Sequence, residues 1–447
     1  MAGADIRRFS VDRRGQALNV LLGIVSGALL VLADTLLHPT VILPLFVSEL
    51  TDTYALIGLV PAIAAGAWFL PQILASVVVR GRRRLPWATG ASVVRTAAVA
   101  LLAYVGYRAD GLSDAQLLRS FFICYLAYVL ASGFATAPTN DVLVKAVAGE
   151  RRGRFFAQRA LWTGLLAVAA GVVVRAVLGG GPAFPRNYTL LFVAAAAALT
   201  ASTFFQARIR EPIRMGSGAP GRGRGLRRAD LFLADPNLRR FLLFRVVLSL
   251  AAVADPFYVV YARRELGASG QVIGLYLLAL VLAQLLLRPL WRELDRRQGS
   301  KAVLQISALV RLLVPLVALI LPYVADTPLY QDRVNDDRIL SYGFAAVFVA
   351  YGVALAGQIQ GNFAHLFAIA PDESRRGYVA LANLLLAPIA FVTVLGGAVI
   401  ERYGFDRAFL VATLASLVAV FASGALTDTH VRTRPTAEAW RLRRAQL

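Results

Sequence analysis

Twelve apolar stretches, each long enough to cross a bilayer as a helix, leave this chain few folds to choose from. They run at about 17–47, 55–79, 86–107, 117–139, 157–178 and 188–207, and again at about 241–262, 271–291, 302–323, 341–365, 378–400 and 406–427. About 20 apolar residues at 1.5 Å each cover a hydrocarbon core of roughly 30 Å. Inside lipid every backbone polar group needs an internal partner, which selects helices. The first stretch is expected as one long helix or as a span with a broken end at Pro39 and Pro44. The chain is 58% hydrophobic and 16% charged. Soluble domains carry about 25% charged residues, so one aqueous core cannot absorb this surplus. The polar residues 1–16 precede an apolar run longer than a signal-peptide core, read as a retained first span.

The spans fall into two sets of six. The expected organisation is an N-terminal segment 1–16, a first bundle 17–207, a linker 208–240, a second bundle 241–427 and a tail 428–447. The linker contains Gly216-Ser217-Gly218-Ala219-Pro220-Gly221-Arg222-Gly223-Arg224-Gly225, a flexible composition without the order of a phosphate-binding loop. Leu226 to Leu233 is expected as a short interfacial helix.

Net charge is +21, which by itself would suit nucleic acid. Its distribution says otherwise. With both termini in the cytoplasm, 34 of the 47 Lys and Arg residues fall in cytoplasmic segments, 10 in outer ones and 3 within spans. The bias persists from loop to loop, as the positive-inside rule requires. The charge is therefore read as an orientation signal facing anionic lipid, with no nucleic-acid partner. One cysteine, Cys124, excludes an intrachain disulfide framework and a Cys-rich metal site. No cofactor or metal is implied.

The two sets of six resemble each other. Ala33-Asp34 recurs as Ala254-Asp255, Ile57-Gly58-Leu59 as Ile273-Gly274-Leu275, Arg95 as Arg311, and Arg151-Arg152-Gly153 as Arg375-Arg376-Gly377. The four matches keep their order, at offsets of 221, 216, 216 and 224. Parallel half-repeats are a transporter signature, with substrate bound between the halves.

After the eighth span the chain reads Leu294-Asp295-Arg296-Arg297-Gln298-Gly299-Ser300-Lys301. Asp295, Arg296, Gly299 and Lys301 resemble the D-R-x-G-R-[RK] loop of the major facilitator superfamily, with one residue extra before the glycine. The first-half counterpart, Arg80-Gly81-Arg82-Arg83-Arg84, keeps the positive charge and lacks the aspartate. The resemblance covers about residues 17–427. It implies an all-α membrane protein of two six-helix bundles related by a pseudo-twofold axis, with both termini inside and a gating role for the Asp295 loop. The family's antiporter Gly-Pro pair is absent from the fifth span, where Gly164 and Gly171 occur without proline.

Charge in hydrocarbon costs about 2.5–3.5 kcal/mol on insertion scales, so embedded ionisable groups usually face an interior. Asp34 lies roughly 25 Å along the first span and His38 follows at i+4, so both are expected on one helical face. An embedded carboxylate can bind and release a proton, and imidazole titrates near neutrality. Asp255 precedes Pro256, where a helix break is expected. Asp34, His38 and Asp255 are the proton-coupling candidates, with a structural pairing of Asp255 to Arg311 or Arg95 as the alternative. Arg95 and Arg311, about 14 Å deep, can neutralise an anionic substrate, pair with an aspartate or snorkel. Gln72, Gln358 and Asn362 suit the polar fittings of an apolar pocket. Asp141 and His365 are expected to dock loops.

The expected activity is alternating-access transport of a small molecule coupled to protons, with export favoured over import by fold analogy alone. Ion-coupled uptake of a small polar solute and a non-transporting sensor or scaffold are the alternatives. An integral-membrane enzyme is disfavoured, because three scattered histidines (His38, His365, His430) and one cysteine offer no catalytic set. The chain is expected to act as a monomer in a bacterial plasma membrane.

Overall fold

The structure, a computed structural model, describes residues 13–79, 83–147, 149–212, 235–325, 327–328, 330, 337–371 and 375–428. The anticipated helix at Leu226–Leu233, much of the linker and residues 80–82 lie outside the described residues.

The first bundle consists of α1 (Arg13–Leu36), α2 (Ile42–Ser48), α3 (Tyr54–Gly66), α4 (Phe69–Val78), α5 (Leu85–Tyr107), α6 (Asp114–Ala146), α7 (Arg152–Gly180) and α8 (Arg186–Ala207). The second consists of α9 (Pro236–Leu250), α10 (Phe257–Arg264), α11 (Gly270–Ala325), α12 (Asp337–Gly343), α13 (Ala345–Ile369), α14 (Arg375–Leu386), α15 (Val392–Tyr403) and α16 (Phe405–Gly424). Ten helical segments among the described residues are long and apolar enough to cross a membrane. One of them, Gly270–Val324, holds two spans, and the shorter Tyr54–Gly66 marks another, which accounts for twelve.

Proline chemistry explains most breaks. The first span stops at Leu36 because Pro39 pushes the preceding residue out of the α region. The chain then turns on the His38 carbonyl, which accepts from Ile42 and Leu43 at 3.0 and 3.1 Å. The second span is split before α4, whose first turn holds Pro71, a position where a missing N–H is tolerated. In the seventh span, Pro256 separates the 3-10 turn Ala251–Ala254 from α10. The long α11 bends at Gly299, whose φ of +81° is natural only for glycine, and so becomes two arms.

Large side chains such as Trp162, Leu395 and Phe421 stay exposed on the outside of the bundle, as a lipid-facing surface requires. Within the first bundle α1 packs on α7 and α8, and α5 on α6 and α8. Among the described residues the bundles meet along α7 against the first arm of α11 and α3 against α15, and at the far end where α2 meets α10. Gly58 and Gly274 permit these crossings. A Cβ at Gly58 would collide with the Thr393 backbone, and one at Gly274 with the Arg175 backbone. The two repeat glycines thus do one job at pseudo-equivalent places.

The end of the bundle far from the described termini is sealed across the two halves. Arg264 Nη2 donates to the carbonyls of Ser48 at 2.7 Å and Thr51 at 3.2 Å, and lies 3.0 Å from Asp52 Oδ1. Its Nη1 reaches the Tyr54 hydroxyl at 3.2 Å. Arg263 approaches Glu49 at 3.3 Å. Thr393 Oγ1 donates to the Gly58 carbonyl at 2.7 Å, and the Ala55 N–H to Glu401 Oε1 at 3.1 Å. Toward the termini the pattern changes. There α4, continuing α3, packs on α6 of its own half. Lys145–Glu211, Gln360–Asp295 and Lys301–Gly424 also join partners within one half.

Candidate functional site

Midway along the bundle each half presents an aspartate, an arginine and a tyrosine from its first, third and fourth spans. In the second half they form a closed cluster. Pro256 has no N–H for the Ala252 carbonyl, so that carbonyl accepts from the Asp255 N–H at 3.0 Å instead. The Ala251 carbonyl is thereby freed and accepts from Arg311 Nη2 at 2.9 Å. The same Nη2 is ion-paired with Asp255 Oδ1. Tyr351 completes the cluster: its hydroxyl donates to Asp255 Oδ2 at 3.0 Å, and its ring lies 4.9 Å below the guanidinium. Asp255 and Arg311 are 8% and 3% exposed. Asp255 is thus paired with Arg311, one of the two partners anticipated for it.

The first half is looser. Asp34 Oδ1 accepts from the Tyr128 hydroxyl at 2.5 Å. Arg95 is 4% exposed, yet its polar contact is the Ser92 hydroxyl at 3.4 Å, and its Nε is buried without a partner. It acts on Asp34 through space rather than by an ion pair. Asp34 stays partly exposed, unlike Asp255.

His38 does not share a helical face with Asp34, since α1 ends two residues before it. Its Nδ1 instead meets Thr40 Oγ1 at 3.1 Å.

The amides Gln72, Gln358 and Asn362 each bury a polar atom without a protein partner: Nε2, Nε2 and Oδ1. Such atoms gain from a ligand or water. The Asp295 loop is built as a joint. Asp295 Oδ2 accepts from Gln360 Nε2 at 3.2 Å, and Gly299 makes the bend. Lys301 caps the Gly424 carbonyl at 3.1 Å, and Arg296 forms a forked pair with Glu293 at 2.8 and 2.6 Å. Ser300 bonds His365 Nδ1 at 3.0 Å. In the first half Asp141 pairs with Arg84, while Glu211 accepts from the N–H groups of Arg84 and Leu85 at 2.9 Å each.

The tyrosines escaped sequence reading, although their spacing carried a signal. Tyr128 and Tyr351 are 223 apart, within the 216–224 offsets of the repeat. Arg264 reads from sequence only as a charge in an outer loop.

The sequence profile described as Major Facilitator Superfamily matches residues 241–446. No curated protein matches the chain. Among solved structures, a D-xylose-proton symporter is 15% identical with a TM-score of 0.66, covering 93% of this chain and 98% of that one. The nucleoside transporter NupG is 16% identical with a TM-score of 0.62, at 92% and 98% coverage. A bacterial homologue of the iron transporter ferroportin superposes in its inward-facing state with a TM-score of 0.61, at 14% identity and 93% and 99% coverage. Its outward-facing state gives 0.55, at 16% identity and 92% and 99% coverage. These likenesses establish the fold: two six-helix bundles in a multi-pass membrane protein.

Proposed function

We propose that this chain, a member of the major facilitator superfamily, is a proton-coupled carrier that moves a small molecule by alternating access, held here with its terminal end open. The observation that carries the reading is Asp34. It is a partly exposed carboxylate amid apolar helices, bound by one tyrosine hydroxyl and within electrostatic reach of an otherwise unpaired arginine. A carboxylate so placed can exchange a proton with the cavity while cargo binds beside it. The seal around Arg264 and the divergence of α4 from the second half support an inward-open state once the termini are assigned to the cytoplasm. The better superposition on the inward-facing ferroportin homologue supports the same assignment.

The cycle follows from these parts. Protonation of Asp34 removes its charge, weakens the hold of Tyr128 and Arg95, and lets the first-half helices rearrange. Arg264 then releases the Ser48 and Thr51 carbonyls as the far end opens, and the crossings at Gly58 and Gly274 act as rocking contacts. A carrier of this kind works as a monomer in a plasma membrane. Export is the direction kept, on fold analogy. A second reading, proton-coupled uptake of a small polar solute, is favoured by the similarity to the D-xylose-proton symporter.

The test is flux in proteoliposomes under an imposed pH gradient. Asp34→Asn is expected to lower gradient-driven flux at least about 100-fold while unfolding stays cooperative. Undiminished flux would remove Asp34 from the mechanism, and the sign of the gradient that drives uptake decides between export and import.

A further inference from the structure

The two long seams between the halves are not alike. On one side α7 and the first arm of α11 stay together from end to end. A Cβ on Gly270 would meet the Leu178 carbonyl, one on Gly171 the Leu278 backbone, and one on Gly164 the Leu285 side chain. Nearer the terminal end, Arg288 Nη1 still donates across the halves to the Ala160 carbonyl at 3.3 Å. From Leu178 to Ala160 is about 27 Å of helix, close to the roughly 30 Å of a hydrocarbon core.

On the other side the seam runs only part of the way. Its far end is tight, where the Ala55 N–H bonds Glu401 and Thr393 bonds the Gly58 carbonyl. Closer to the termini, a Cβ on Gly66 would lie 2.9 Å from the Phe391 ring and 3.5 Å from the Ala387 carbonyl. From Tyr54 to Gly66 is about 18 Å of helix. Both helices break at this level. α3 ends at Gly66 and α4 starts at Phe69, while α14 ends at Leu386 and a 3-10 turn, Pro388–Phe391, leads into α15. Prolines account for both breaks: Pro71 has no N–H for the Ala67 carbonyl, and Pro388 none for the Leu384 carbonyl.

Beyond the breaks the partners separate. α4 packs on α6, with the Trp68 carbonyl set where a Cβ of Gly133 would lie, and α14 packs on α9. Among the described residues α4 packs on no helix of the second half. Its ten residues cover about 15 Å, the depth of one leaflet. The open terminal end is thus joined along one side and parted along the other. Neither helix at the parting carries charge over that depth. The polar side chains of α4 are Gln72 and Ser76, and those of α14 after Arg376 are Tyr378 and Asn383. Leu74 and Leu384 stay exposed on the two helices. A charged solute finds no partner on such walls, whereas an apolar body passes between them without losing its surroundings.

We propose that the parting between α4 and α14 is a lateral entrance from the terminal-side leaflet, so that the cargo is a membrane-dissolved molecule with a largely apolar body. This deepens the carrier reading, rests on it and opposes the polar-solute alternative. The cargo passes between the two helices on the terminal side of the Gly66–Phe391 contact. The Gln72 amide, whose Nε2 has no protein partner, offers a hydrogen bond to its polar part.

Two measurements test this, and neither needs transport. The first is power-saturation EPR in liposomes, with a nitroxide on Gln72→Cys or Asn383→Cys in a Cys124→Ser background. Collision with oxygen, which dissolves in lipid, is expected to exceed collision with a water-soluble nickel chelate several-fold at both positions. The same label on Leu285→Cys, at the joined seam, is expected to collide little with either. Preference for the nickel chelate at Gln72 and Asn383 marks a water-filled funnel, and low collision with both marks a packed seam; either result overturns the proposal. The second is binding of N-phenyl-1-naphthylamine, an uncharged dye that partitions into membranes and accepts energy from tryptophan. Trp68 lies at the break above α4. The transfer is expected to contain a saturable part that falls several-fold in Trp68→Phe and survives an excess of sorbitol. Transfer that only rises in proportion to dye, that is unchanged in Trp68→Phe, or that sorbitol abolishes counts against the entrance. A lipid-lined parting with saturable dye binding but no pH-driven flux would sink the carrier reading and leave the entrance standing.

Discussion

In the second half, the aspartate of the broken span is locked between Arg311 and Tyr351, and the carbonyl freed by Pro256 is tied to the same guanidinium. In the first half, its counterpart Asp34 keeps only the tyrosine, and Arg95 stands apart. The same three residue types, on equivalent helices, give a closed cluster in one copy and, in the other, a carboxylate held by one hydroxyl with its arginine apart. Duplication supplied the scaffold twice, and the difference lies in whether the arginine reaches the carboxylate. A proline directly after Asp255 brings a free carbonyl and the carboxylate to one place. After Asp34 the proline comes five residues later, and no such convergence forms.

The largest effect expected from this difference is on stability. Arg311→Ala leaves Asp255 buried without its counter-ion, and breaking a buried pair from one side costs about 3–5 kcal/mol. Arg95→Ala removes no ion pair, so its loss is expected to be less than half as large. Thermal or denaturant unfolding of the two variants in detergent reads the contrast directly. Equal losses would show that both clusters are structural.

The second contrast concerns the carboxylates. Asp255→Asn is expected to destabilise by about 2–4 kcal/mol, because it strands Arg311. Asp34→Asn is expected to stay within about 1 kcal/mol of the parent, with its effect appearing in flux. The comparison fails if Asp34→Asn unfolds more easily than Asp255→Asn.

How far the sequence shows this can be judged residue by residue. The twelve spans, the halves and the pairs Asp34/Asp255 and Arg95/Arg311 are legible because hydropathy and order along the chain carry them. The breaks at Pro39 and Pro256 follow from local backbone chemistry. Which aspartate is paired is not legible, since it depends on where a guanidinium two spans away points. The i+4 pairing of His38 with Asp34 fails for a local reason, the helix ending at Leu36. The fit of the Arg159 guanidinium into the notch at Gly27 is likewise invisible until two helices are packed, because Arg159 reads from sequence as part of a basic loop.

A smaller effect separates the tyrosines. A hydrogen bond to a charged group contributes about 1.5–3 kcal/mol. Tyr351→Phe is expected to fall at or below the low end of that range, since Arg311 still holds Asp255. Tyr128→Phe strips Asp34 of its one direct partner, and its main consequence is expected in the pH profile of flux, with little change in that of Tyr351→Phe. Identical pH profiles in the two variants would break the distinction between the two clusters.

The smallest contrast lies at the sealed end, between neighbours on α10. Arg263 and Glu49 are 43% and 31% exposed at their side chains, and exposed pairs contribute about 0–1 kcal/mol. Arg264 also meets an exposed acid, Asp52, but its bonds to the Ser48 and Thr51 carbonyls cross from one bundle to the other. In the proposed cycle these bonds break as the far end opens, so losing them is expected to bias the conformational equilibrium more than the fold. Every 1.4 kcal/mol shifts a population tenfold. Thr40→Cys, in a Cys124→Ser background, reports on access from the far side through its reaction with a membrane-impermeant maleimide. Arg264→Ala is expected to speed that reaction about three- to tenfold, and Arg263→Ala by less than twofold. If both variants label at the parental rate, the far-end contacts are bystanders, and closure must be held by the apolar crossings at Gly58 and Gly274 alone.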